Sequence, residues 1–161
     1  MPAIGGAASV RAVRAGLGEA IEAARGGDAE RFAAANAVLA GLDQQRLSIL
    51  QGAIVRELLE LTHPDGLTGE DAQLVLTRCV RAALAWYPDT DAEAMITVLM
   101  GALGAGDPAE LPPVGQTAAL AHGNLLIADL LAGRPEPGVA LAPLLQRALA
   151  EIERAETIEL P

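Results

Sequence analysis

Apolar residues recur every three or four positions through most of this chain, the spacing that gathers them on one face of an α-helix. Val10, Val13, Leu17, Ile21 and Ala24 make such a stripe over residues 9–25, with Ser9 as the expected N-cap and Gly26-Gly27 as the stop. A second helix is predicted from Asp28 to about Ala40. It aligns Phe32, Ala35 and Leu39, with Leu42 continuing the face and Gly41 ending the helix. The third begins near Asp43, carries Leu47, Leu50, Ile54, Leu58 and Leu61, and breaks at His63-Pro64-Asp65-Gly66. The fourth opens on Thr68, with Asp71 three residues on, a variant of the capping box. Its inward positions are Ala72, Leu76, Cys79, Ala83 and Trp86, widened by Val75, Val80 and Leu84, and Pro88 ends it. The fifth follows Asp89 to Asp91 and aligns Ala92, Ile96, Leu99 and Leu103. A Gly- and Pro-rich loop over 104–114 separates it from the sixth, at 116–132. After a connection at 134–138, the seventh runs from about Val139 to Thr157 on Leu141, Leu145, Ala148 and Ile152, with Arg147 and Glu151 on its exposed side. No segment alternates long enough to read as a strand.

These elements predict an all-α fold, a compact bundle of about seven short amphipathic helices. Residues 9–161 are expected to form one domain, preceded by a loose N-terminal arm at 1–8. The sixth helix departs from the pattern. It is apolar nearly all round, which predicts a central position. The alternative is a short solenoid of helix pairs, because Leu84-Ala85 precedes Pro88 as Leu131-Ala132 precedes Pro135.

Composition narrows the function. Hydrophobic residues are 52% of the 161 and aromatics only 2%, so the core is built from Leu, Ile, Val and Ala. The formal net charge of −10 argues against nucleic acid and against an anionic membrane surface as partners. All 11 basic residues are arginines, spaced singly along helix faces rather than clustered. The most apolar stretch, Thr117 to Gly133, is short for a membrane span and interrupted by His122, Asn124 and Asp129. With one cysteine and no signal-like N-terminus, a cytoplasmic location is expected.

His122, Asn124 and Asp129 are the first candidate binding residues, as the main polar groups of the most apolar helix. His122 and Asp129 stand seven apart, on nearly the same face but two turns from each other, so each needs a partner on another helix. Trp86 and Tyr87 are the second candidates, able to cover the core edge or to mark an interface. Cys79 lies on an apolar stripe and reads as a small buried hydrophobe. Asp89, Asp91 and Glu93 fail the calcium-loop pattern, since the sixth and twelfth positions are Ala94 and Met100. His63-Pro64-Asp65 resembles the tripeptide of the J-domain co-chaperones, and it too lies between two helices. The resemblance spans three residues. It implies a basic preceding helix that docks on a partner chaperone, whereas this one carries Glu57 and Glu60 with only Arg46 and Arg56. The tripeptide reads as an ordinary turn, with His63 at a helix C-terminus.

No catalytic set, metal set or cofactor motif is predicted. The expected function is that of a non-catalytic helical protein acting through protein contacts, with another protein or with itself as a homodimer. The surplus of apolar helix supports this. The alternatives are a small-molecule binder or enzyme with a pocket among helices four, five and six near His122 and Asp129, and a helix-turn-helix regulator over 28–61. The latter would read DNA through Gln44, Gln45, Arg46, Gln51 and Arg56.

Overall fold

The computed structural model describes residues 9–132 and 137–159, so the N-terminal arm expected at 1–8 lies outside the described residues. Within them are seven helices and no strand: α1 (Val10–Arg25), α2 (Ala29–Ala40), α3 (Gln44–Thr62), α4 (Gly69–Leu84), α5 (Ala92–Leu103), α6 (Gln116–Ala132) and α7 (Pro137–Glu159). None of the described helices is long and apolar enough to cross a membrane.

Short acidic and hydroxyl side chains set most of the helix starts. Asp28 accepts from the Arg31 N–H, Asp43 from Gln45 and Arg46, and Asp91 from Glu93. Thr68 and Asp71 close a reciprocal capping box at the head of α4. The Thr68 backbone N–H and hydroxyl hold the Asp71 carboxyl below its ordinary range. Ser9 departs from expectation. Its backbone is already helical, at φ −64° and ψ −43°, and its hydroxyl caps nothing, because capping requires an extended residue before the first turn.

The helices are arranged around α6, which packs against α1, α2, α3, α4, α5 and α7. Its residues 120 to 128, together with Leu130 and Leu131, are buried. A helix without a polar face finds no stable place at a surface, and here six neighbours cover it. This arrangement excludes the solenoid, in which a helix pair touches only adjacent pairs. The α1–α2 pair closes tightly because Gly16 has no side chain. A Cβ there would stand 2.5 Å from the Leu39 Cδ2 atom. The long connection between α5 and α6 is tied down where the Thr97 hydroxyl donates to the Pro112 carbonyl at 2.6 Å.

Several faces are rotated from their expected positions. In α5 the buried residues are Ala94, Met95, Leu99 and Ala102, while Ala92 is exposed. The bulky Met95, within 3.8 Å of Cys79 sulfur to sulfur, takes the inward place. In α3 the buried face widens to Gln51, Val55 and Leu59, which leaves Leu61 at its edge and half exposed. Leu84 is likewise exposed, and α4 ends there, so Trp86 lies in the turn that follows. The last helix begins at Pro137, two residues before the expected start, and continues through Pro143. Arg147 does not pair along its own helix but reaches Glu57 of α3 at 2.8 Å.

Truncating α6 should therefore be far more damaging than truncating an exposed leucine. Leu126→Ala is expected to lose about 2–5 kcal/mol by urea unfolding, while Leu84→Ala changes stability by about 0.5 kcal/mol or less.

Candidate functional site

The three candidate side chains of α6, His122, Asn124 and Asp129, point in three directions. His122 is 2% exposed. Its Nδ1 lies 2.7 Å from the Ala118 carbonyl, which can only accept, so Nδ1 carries the proton. The lone pair left on Nε2 accepts the Asp91 backbone N–H at 2.9 Å. A neutral imidazole thus ties the first residue of the α5 cap to the middle of α6, and both ring nitrogens are occupied.

Asn124, with no exposed surface, is the centre of a buried amide chain joining three helices. Gln51 of α3 donates through Nε2 to Asn124 Oδ1 at 2.8 Å and to the Leu120 carbonyl at 3.0 Å. Asn124 Nδ2 in turn donates to Asn36 Oδ1 of α2 at 2.8 Å. The Leu120 carbonyl sets the polarity of the whole chain. Because it can only accept, Gln51 presents nitrogen, Asn124 presents oxygen to Gln51, and Asn36 presents oxygen to Asn124. The amide chain therefore ends on Asn36 Nδ2, a buried donor without a partner among the described residues. Gln51 lies flat across Gly123, where a Cβ would stand 2.6 Å from Oε1.

Asp129 turns to α4 and accepts from Arg78 Nε at 2.9 Å, with the carboxylate mostly covered and the guanidinium exposed. The face shared by His122 and Asp129 thus meets the α4–α5 corner at two separate places, and the structure does not bring these two side chains together. Trp86 and Tyr87 do come together, each edge-on to the buried Phe32 with ring centroids 5.2 and 5.1 Å away. All three aromatics form one cluster that joins α2 to the turn after α4. Burial pushes the Tyr87 phenol up, and Asp89 adds to the shift.

Trp86, Asp129 and Cys79 border a hollow of about 470 Å³ between the end of α1, α4 and α6. Cys79 is 1% exposed, and burial, with Asp129 adding to it, pushes its thiol up to about 12. At neutral pH the thiol form is favoured over the thiolate. His63 closes α3, its backbone N–H donating to the Leu59 carbonyl and its Nδ1 lying 3.2 Å from the same oxygen. Among the described residues no three His, Cys, Asp or Glu side chains are grouped to hold a metal ion.

A cleft of about 670 Å³ opens elsewhere than expected. It lies between α3, α5 and the start of α6, and neither His122 nor Asp129 lines it. Its floor is Gln51 on Gly123. Asn36 and this role of Gln51 are absent from the sequence reading, although both could have been found. Asn36 stands four residues after Phe32 and Gln51 four after Leu47, amides inside apolar stripes. The side chains expected to read DNA are largely committed inside the chain. Gln44 donates to the Leu39 and Leu42 carbonyls, Arg46 pairs with Glu156, Gln51 joins the amide chain, and Arg56 donates to the Ala102 carbonyl. Comparison with family models, curated proteins and solved structures finds no match to the chain.

Asn124→Ala removes the middle of the amide chain and leaves the Asn36 amide without its one bond. It is expected to lower stability by about 2–4 kcal/mol in urea. His122→Ala leaves the Asp91 N–H without its acceptor and takes the imidazole donor from the Ala118 carbonyl, and is expected to lose about 1–2 kcal/mol, with the fold retained by circular dichroism.

Proposed function

We propose that the protein is a non-catalytic helical module that works by contact with another protein, through the outward face of α4. The observation that carries this reading is the make-up of that face. Leu74 and Leu84 are 65% and 53% exposed, among the most exposed large apolar side chains of the described residues. Arg78, which pairs with Asp129, and Arg81 stand between them, and a shallow hollow opens beside Leu74 and Arg81. From residue 72 to 88 there is no carboxylate, in a chain that carries 21. Exposed leucines interleaved with arginine favour an apolar surface rimmed with acidic groups, and arginine is enriched at energetically dominant interface positions. The side chains that could have supported chemistry are spent on structure. Both nitrogens of His122 are bonded, and the Cys79 thiol is buried and held protonated.

Self-association through α6 is not part of the proposal, because the other helices bury that surface. A second copy could still be the partner at α4, since the chain's net charge is −10. Size-exclusion chromatography with light scattering, on the pure protein and on the protein mixed with extract of its native cell, tests the reading. The wild type is expected in a larger species, and the Leu74→Ser/Leu84→Ser double variant as a folded monomer. A wild type that stays monomeric in both settings contradicts the reading, as does an association the double variant retains.

A further inference from the structure

The cleft between α3, α5 and α6 is separate from the α4 face, and its chemistry is specific. It is lined by eighteen residues without a carboxylate, and its single charged group is Arg56. Its volume of about 670 Å³ lies within the range of sites for small ligands. Leu47, Val55, Val98 and Leu120 supply apolar wall.

Three features of the cleft point to what it holds. Arg56 donates one nitrogen to the Ala102 carbonyl at 2.8 Å, near the end of α5, which fixes the guanidinium at the seam between α3 and α5. No salt bridge to Arg56 occurs among the described residues, so the remaining donors of the fork face no acidic partner among them. The head of α6 also opens here, since Val114, Gln116 and Ala119 line the cleft. The residue before the helix is Gly115, which has no side chain to accept from the first-turn N–H groups at the positive end of the helix dipole. At the floor, Gln51 is 7% exposed and spends its Nε2 on Leu120 and Asn124. Its Oε1 is held by the polarity of the amide chain and accepts from no described residue.

We propose that this cleft binds a small molecule with an apolar body, one carboxylate and one N–H or O–H donor. The carboxylate pairs with Arg56 beside the head of α6, the apolar body lies against Leu120 and Val98, and the donor reaches Gln51 Oε1. N-acetyl-L-leucine carries all three groups, and N-acetyl-L-leucinamide lacks only the charge.

Titration of the isotope-labelled full chain with each probe, followed by NMR, reads the site directly. The acid is expected to shift the amides of Gly52, Gly101 and Gly123 saturably and to bind at least about tenfold more tightly than the amide. Arg56→Gln is expected to bring the acid down to the affinity of the amide and to leave the amide unchanged. Gly123→Ala pushes Gln51 off the floor and is expected to weaken both. Equal affinity for acid and amide, shifts centred outside the cleft, no saturable shift, or an Arg56→Gln variant that binds the acid as the wild type does would each overturn the proposal. If Gly123→Ala does not fold, the two probes and Arg56→Gln decide the matter.

Discussion

A helix with apolar side chains on every side has no surface to give to water, so α6 is stable only where other helices wrap it. That requirement organises the bundle. The six helices around α6 each contribute an apolar stripe, and their charged faces turn outward, where Glu19 pairs with Arg31 and Glu57 with Arg147. Such exposed pairs add little stability. Apolar burial around α6 supplies most of it.

Apolar burial alone does not fix how such helices are rotated and staggered, since leucines and alanines fit one another in many registers. The buried polar groups of α6 supply that selection. The Asn124 amide is bonded at both ends only when α2 brings Asn36 and α3 brings Gln51 to the same level, and the Nε2 of His122 is bonded only when the α5 cap brings the Asp91 N–H to it. A shift of any of these helices by one residue leaves part of a buried amide or one imidazole nitrogen unpaired, at roughly 1–3 kcal/mol each. The same bonds prepare the cleft, because the amide chain that aligns α3 with α6 also orients Gln51 at its floor.

Much of the architecture was legible in the residues. The caps at Asp28, Asp43, Thr68 and Asp91 announce their helices through local hydrogen bonding, and the absence of a polar face on 116–132 announces its central place. What was not legible depends on tertiary packing. Ala92 and Ala94 compete equally for the inward face of α5 until Met95 finds Cys79, and Leu84 reads as core until α4 ends before its neighbours cover it. Asp129 and His122 share a face of their own helix yet meet different partners, because the neighbouring helices, not the spacing, decide what each touches. The cleft is a gap between three helices and leaves no mark in any one of them.

The central claim is that the bundle holds together through the enclosure of α6. Native-state hydrogen exchange tests it most directly, by ranking the amides of all seven helices by the free energy needed to expose them. The amides of residues 120 to 131 are expected to exchange only through global unfolding, the slowest in the chain, while those on the outer side of α4 and at the helix ends open locally. Exchange of the α6 amides through a local opening, while α1 or α3 remains protected, would contradict the account.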